Sequence, residues 1–217
     1  MATRAQLRAW LRRRLQETTP AQWTDSTLNS YLNEGLYFMQ QEIEKIEPEA
    51  FVYVDTANTV ADQDLYAMPT NMKSDLELEY KAASSSEYAT VPKRDRRFTR
   101  ENTTGLVYYA HQGRYFLIRP VPSNSVSAGL RLTYVPILTM GSDSDVPILN
   151  IDLHMGIVLA AQLTALGDVD ESTGKEAVRT ELAQMILRIP LHYQKTSAEP
   201  DRFSVDDNVK LYPTELS

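Results

Sequence analysis

The 217-residue chain contains no cysteine, which excludes a disulfide scaffold, a thiolate zinc site, an iron–sulfur cluster and a cysteine nucleophile. Histidine is nearly as scarce. His111, His154 and His192 are the whole supply, which leaves little for metal chemistry. Eight glycines offer little material for a phosphate-cradling loop, and no G-x-x-x-x-G-K-[ST], G-x-G-x-x-G, G-x-S-x-G or H-E-x-x-H pattern occurs. Long hydrophobic runs are missing too. The longest, 155–166, is interrupted by Gln162 and Thr164 and falls well short of the ~20 residues a membrane span requires. Arginines stand near the start where a signal peptide would carry its apolar stretch, so the expectation is a soluble protein that stays in the cytoplasm where it is made. An excess of basic charge is also lacking. With 22 Lys and Arg against 29 Asp and Glu, the net charge is −7, so the chain as a whole is no polycationic nucleic-acid binder.

What is present is ordinary for a globular protein: 42% hydrophobic and 24% charged residues. A chain of this length buries roughly 70% of its unfolded surface, enough for a core without covalent staples. Thr3 and Gln6 form a capping-box pattern ahead of Leu7, Trp10, Leu11 and Leu15 at helical spacing. A second helix is predicted from Asp25 as N-cap, with the stripe Leu28, Tyr31, Leu32, Gly35/Leu36, Met39, Ile43 and Ile46, stopped by Pro48. The middle reads as β: Phe51–Val54, the alternating Leu76–Tyr80, and 106–111 joined to 114–119 through a Gln112-Gly113 hairpin turn. Leu130–Leu138 completes it, with Leu130, Leu132 and Tyr134 on one face. One antiparallel sheet of four or five strands is expected. Two further helices follow, 151–166 with Gly167 as C-cap and 175–188 broken by Pro190. The fold class is therefore α+β. N- and C-terminal helix pairs (1–48 and 141–194) form one bundle, a β-rich insertion occupies 49–140, and an extended C-terminal arm covers 195–217.

The search for chemistry yields few candidates. Asp143, Asp145 and Asp152 offer oxygen ligands for a hard cation, but the same acids suit a turn ahead of a helix N-terminus. His154 beside them has the composition of a general base oriented by Asp152, yet no nucleophile stands at a recognisable spacing. Catalytic, cofactor-binding and metal residues are therefore all expected to be absent. Ten of the 22 basic residues fall into two clusters: Arg4, Arg8, Arg12, Arg13 and Arg14 on the first helix, and Lys93, Arg94, Arg96, Arg97 and Arg100. Phosphate contact is one use for them; salt-bridged subunit contacts are another. The polar tail carries spaced apolar groups, including Phe203, Leu211, Tyr212 and Pro213. It reads either as a frayed terminus or as an arm that orders on a partner.

Four segments in order carry a resemblance. Residues 23–34 (WTDSTLNSYLNE), the Tyr66-Ala67-Met68-Pro69 turn, 117–122 (LIRPVP), and Leu132–Pro136 followed by 143–149 (DSDVPIL) and His154 resemble the head-to-tail adaptor, or connector, proteins of tailed bacteriophages and related particles. The resemblance implies a structural virion protein and no enzyme. It implies a homo-oligomeric ring, commonly of twelve copies, between the portal vertex and tail or nozzle proteins. Such a ring forms part of a DNA channel, through which DNA passes without sequence specificity and without membrane contact. It also implies residence at the head–tail junction of the virion, after assembly in the host cytoplasm. By this resemblance Phe203, Leu211, Tyr212 and Pro213 would meet the portal, and Lys93, Arg94, Arg96, Arg97 and Arg100 would meet neighbouring subunits or the portal. The rival is a cytoplasmic DNA-binding or regulatory protein that uses the N-terminal arginine helix.

Overall fold

The computed structural model of the chain describes residues 1–17, 22–95, 107–168 and 174–193. Helix α1 spans Arg4–Arg14. Its capping box forms as expected, with Thr3 Oγ1 accepting from Gln6 N and Gln6 Oε1 accepting from Thr3 N at 2.9 Å. Helix α2 spans Asp25–Glu44. Its N-cap is Thr24 rather than Asp25, so the Asp25 carboxylate lies in the first turn, where the helix dipole favours it. Trp23 and Leu28 are both buried at the positions of a hydrophobic staple.

A 3-10 turn, Ile151–Leu153, leads into α3, His154–Asp168. Gly167 therefore lies inside the last turn rather than capping it. Asp168 closes the helix and accepts a 2.5 Å hydrogen bond from the Tyr31 hydroxyl, which raises the phenol's pKa to about 12. Helix α4 is Lys175–Ile186 and α5 is Ile189–Tyr193. Pro190 sits in the first turn of α5, where its missing N–H costs nothing. The helices share one core, centred on Leu7, Leu11, Leu28, Leu32, Leu36, Met39, Ile43, Leu153 and Ile157.

Glycines set how closely α2 and α3 approach. A Cβ on Gly35 would stand 2.4 Å from the Ile157 carbonyl oxygen, and one on Gly156 would stand 2.8 Å from the Met39 side chain. Two backbones can meet at that distance only where one position carries no side chain.

The β region differs from the expected single sheet. Strands β1 (Tyr53–Thr59), β7 (Val126–Pro136), β3 (Met72–Tyr80) and β4 (Ala89–Thr90) form one antiparallel sheet in the order β1-β7-β3-β4. Strands β2 (Leu65–Ala67), β6 (Tyr115–Arg119) and β5 (Tyr108–Gln112) form a second, ordered β2-β6-β5. A second core lies between the sheets, where Leu78, Leu130, Leu132 and Tyr134 meet Tyr66, Phe116 and Ile118. Strands of two or three residues are too short to show periodicity, which is why β2 and β4 escape sequence analysis. The hairpin turn is Gly113-Arg114, with Gly113 at φ 62°, one residue beyond the expected pair. Leu76 is the extra residue of a bulge between Asp75 and Glu77 and stays exposed, while Leu78 is buried.

Two glycine substitutions should have opposite signs. Gly35→Ala forces α2 off α3 and should cost about 1–3 kcal/mol, a fall in Tm of roughly 2–12 °C for a chain of this size. Gly167→Ala meets open space and should raise stability by roughly 0.5–1 kcal/mol through helix propensity. Thermal denaturation of both variants checks the pair; an unchanged Tm for Gly35→Ala would show that the backbones do not touch.

Candidate functional site

The first basic cluster faces inward. Asp143, in the loop between β7 and α3, accepts from Arg4 Nε (3.1 Å) and Nη2 (2.8 Å) and from Arg8 Nη1 and Nη2 (both 2.9 Å). Arg4 Nη1 also donates to the Met140 carbonyl at 2.9 Å. Arg12 donates to Glu17 (2.7 Å), Asp25 (2.6 Å) and the Trp23 carbonyl (3.1 Å). Arg14 donates to Gln162 (2.7 Å) on α3 and Glu181 (2.6 Å) on α4. The four-residue spacing that groups Arg4, Arg8 and Arg12 on one face thus aims them at the start of α2 and the 140s loop. Only Arg13 of the five is exposed. Hydrogen bonds from Arg8 and Arg4 hold the Asp143 carboxyl down at about 2. The DNA-binding rival loses its reagent here, because guanidinium groups spent on carboxylates are not offered to phosphates.

The acidic residues are dispersed rather than gathered. Asp145 closes its own loop, accepting from Gly141 N (2.7 Å), Ser142 N (2.9 Å) and the Ser142 hydroxyl. Asp152 stands 3.7 Å from His192 Nε2, not beside His154. His154 is buried, with Nε2 3.2 Å from the Leu149 carbonyl. Burial pushes its pKa down, which favours the neutral ring, and its contact with the Leu149 carbonyl braces a chain turn. Among the described residues no group of three His, Asp or Glu side chains is arranged to hold a metal ion, and no helix is long and apolar enough to cross a membrane.

Two polar residues that periodicity overlooks join the bundle to the sheets. Gln40, fully buried on α2, donates to the Pro136 carbonyl (2.6 Å) and accepts from Leu138 N (3.0 Å). Asn33, two turns earlier, accepts from Met140 N (2.8 Å) and donates to its carbonyl (3.4 Å). The exit of β7 is therefore hydrogen-bonded to a helix face as it would be to a strand. The signal was available: polar residues seven apart, beside the apolar stripe.

Of the second basic cluster, Lys93 and Arg94 are described, while Arg96, Arg97 and Arg100 lie outside the described residues, as do Phe203, Leu211, Tyr212 and Pro213. Lys93 Nζ donates to both Asp75 oxygens (3.0 and 3.1 Å). The same carboxylate accepts from Tyr109 OH at 2.6 Å, and His111 Nε2 stands 3.2 Å away. Burial raises the Asp75 pKa, but the hydrogen bonds from Tyr109 and Lys93 outweigh it and the net shift is downward. Arg94 lies over the Tyr108 ring at 4.9 Å, and its N–H donates to the Tyr109 carbonyl (2.8 Å). This ionic knot ties β3, β5 and the segment after β4 together beside an open cleft of about 580 Å³ that Glu49, Glu77 and Thr90 also line.

Among the described residues the geometry holds joints, clamps and edges. A comparison with protein families decides what such a body is. The SU10 adaptor protein family matches residues 2–213. The chain belongs to that family, one of phage structural adaptor proteins. A search of curated proteins returns no match.

In this adaptor the segments that carry the resemblance are structural joints. Trp23 and Thr24 open α2, and Asn33 grips Met140. The Tyr66 hydroxyl accepts from Val60 N (3.2 Å) and lies 3.0 Å from the Gln63 carbonyl, pinning its turn. Pro136 presents its carbonyl to Gln40.

The clamp and the joint each make a prediction. The Asp143 carboxyl is depressed on folding, so its stabilising effect is complete above the ordinary value of 3.8 and fades as pH falls toward 2. Asp143→Asn should therefore lower Tm at pH 7, with the gap from the native protein closing between pH 4 and 2. Equal Tm at neutral pH would show that the arginines gain nothing from Asp143. Gln40→Ala leaves a buried carbonyl and a buried N–H without partners, which costs about 1–3 kcal/mol for each group; urea unfolding should read that loss in the midpoint.

Proposed function

We propose that this adaptor forms a homo-oligomeric ring at the head–tail junction, joining the portal vertex to the tail or nozzle proteins and lining part of the DNA channel. The observation that carries it is the family match across nearly the whole chain. The 1–48 and 141–194 helix pairs make the rigid part of each subunit, 49–140 an insertion, and 195–217 an arm that reaches the portal through Phe203, Leu211, Tyr212 and Pro213. Arg94, Arg96, Arg97 and Arg100 meet carboxylates of neighbouring subunits or of the portal, with Lys93 at their head held by Asp75 of its own copy. A net charge of −7 per copy, multiplied around a ring, suits a bore through which DNA must slide. Each phosphate neutralised by the wall would add salt-dependent affinity and retard ejection.

Quantitative mass spectrometry of purified particles tests the ring. Near twelve copies in tail-bearing particles, and none in portal-free ones, is the expected result; absence from particles would end the proposal. Truncation after Lys195 should leave a folded protein with unchanged circular dichroism that no longer joins portal-bearing particles. Normal incorporation of the truncated chain would show the arm to be dispensable.

A further inference from the structure

The four-stranded sheet has two open edges, β1 and β4, and they match each other. We infer that the β1 edge of one copy pairs with the β4 edge of the next, so that adjacent copies share one continuous antiparallel sheet. This inference rests on the proposed ring and names the contact that builds it.

Polarity supports the pairing first. The ladders β1–β7, β7–β3 and β3–β4 are all antiparallel, so with four strands the two edges run in opposite directions. Repeating the sheet by rotation about an axis along its strands sets β4 against the next β1 in antiparallel fashion, with no inversion of the subunit. Had the sheet three or five strands, the same operation would bring parallel edges together.

Level and hydrogen bonding agree with polarity. Thr56 pairs with Arg131, Arg131 with Glu79 and Glu79 with Thr90, while Ala57 lies level with Ala89 through Leu130 and Tyr80. The two edges therefore stand at the same height across the sheet. Val91 N donates to the Leu78 carbonyl (2.7 Å), so by strand alternation the backbone groups of Thr90 point out of the sheet. Thr56 N donates instead to the Asp55 side chain (2.8 Å), which places its backbone groups on the outer edge too. Thr56 and Thr90 of two copies thus present complementary N–H and carbonyl groups. Residues 53–58 and 89–90 are all exposed, and among the described residues no further strand pairs with either edge.

Charge supplies the third argument. Residues 46–72, which contain β1, hold five acids (Glu47, Glu49, Asp55, Asp62, Asp64) and no Lys or Arg. Residues 93–100, directly after β4, hold five bases and one acid. With Thr56 opposite Thr90 the basic segment runs back beside residues 46–55, which hold Glu47, Glu49 and Asp55 and no Lys or Arg, whereas β1 against β1 would set Glu47 and Glu49 toward Asp62 and Asp64, acid on acid. A second copy in head-to-tail order is therefore the occupant that the edges select.

The absence of cysteine makes the test clean. Ala57→Cys with Ala89→Cys puts one thiol on each edge, at positions that face each other as a non-hydrogen-bonded pair with Cα atoms about 4.5 Å apart, within disulfide reach. Inside one subunit they stand three strand spacings apart, about 14 Å, so any bridge formed is between copies. Oxidation of the purified protein, and of particles that have incorporated it, should give a ladder of covalent multimers on non-reducing gels. Each single variant should stop at the dimer or remain monomeric. Ala57→Cys with Leu187→Cys, on the far helices, serves as control and should give no ladder. Particles that contain the doubly substituted protein in many copies but yield no ladder would overturn the edge contact and leave the ring standing. No ladder and only monomers at tens of micromolar, by mass photometry, would overturn it as well. Absence of the chain from particles would instead count against the ring itself.

Discussion

The structure depends on one joint, the place where a helix does the work of a strand. Asn33 and Gln40 hydrogen-bond the backbone at 136, 138 and 140 as β7 leaves its sheet. Without them, the buried carbonyl of Pro136 and the N–H of Leu138 would face an apolar helix surface, at a cost of about 1–3 kcal/mol for each unsatisfied group. That joint fixes where the 140s loop begins. The loop then offers Asp143 to Arg4 and Arg8, and its carbonyls at 143 and 145 to the first N–H groups of α1 (3.2 and 2.8 Å). Helix α1 is consequently held at its N-terminus by chain from beyond the sheet, and through Arg14 by α3 and α4. Bundle and sheets are bound by polar groups of defined direction, which orient two bodies more strictly than apolar contact does.

How much of this was legible from sequence depends on the range of the signal. Capping, amphipathic stripes and long strands are local, and they located α1, α2 and α4, the 108–119 hairpin and β7 to within a few residues. The Thr24 cap was misplaced by one position because Thr-Asp-Ser offers three suitable side chains in a row. Short strands left no period, and β1 beyond Val54 reads as Asp-Thr-Ala-Asn-Thr, a polar run that only its pairing with β7 makes a strand. The site was less legible than the fold. Nothing local in Arg4 and Arg8 distinguishes a phosphate-binding face from an internal clamp, since the deciding partner, Asp143, lies 135 or more residues away. The Asp75 knot was missed for the same reason: its members come from β3, the segment after β4, and β5.

The redistribution of charge also says what kind of protein this is. A chain with net charge −7 that buries its N-terminal arginines against its own carboxylates leaves its remaining basic density in one short segment after β4. An enzyme concentrates perturbed groups in a cleft. Here the depressed carboxyls of Asp143 and Asp145 in the 140s loop, of Asp75 on β3 and of Glu79 further along it each have a cation or loop N–H as partner. Perturbation spread in this way holds elements together, which suits a membership in a structural adaptor family.

An assembly subunit must also remain soluble before it assembles, and sheet edges answer that need better than apolar patches. A large exposed apolar surface sticks to any other. An edge strand presents groups that water satisfies until a partner of the right polarity arrives. The edges here are guarded in the usual ways: β4 is two residues long, and β1 covers an outward N–H with the Asp55 carboxylate. Both guards are cheap to remove, since one carboxylate swings aside and a short strand needs only a matching register. Pairing of the β1 edge with its own copy would set the acids that flank it against one another, which favours the head-to-tail order inferred above. A heterologous contact of the kind inferred above either closes into a ring or runs on as a filament, and the twist of the four-stranded sheet between its β1 and β4 edges is what would set the rotation from each copy to the next.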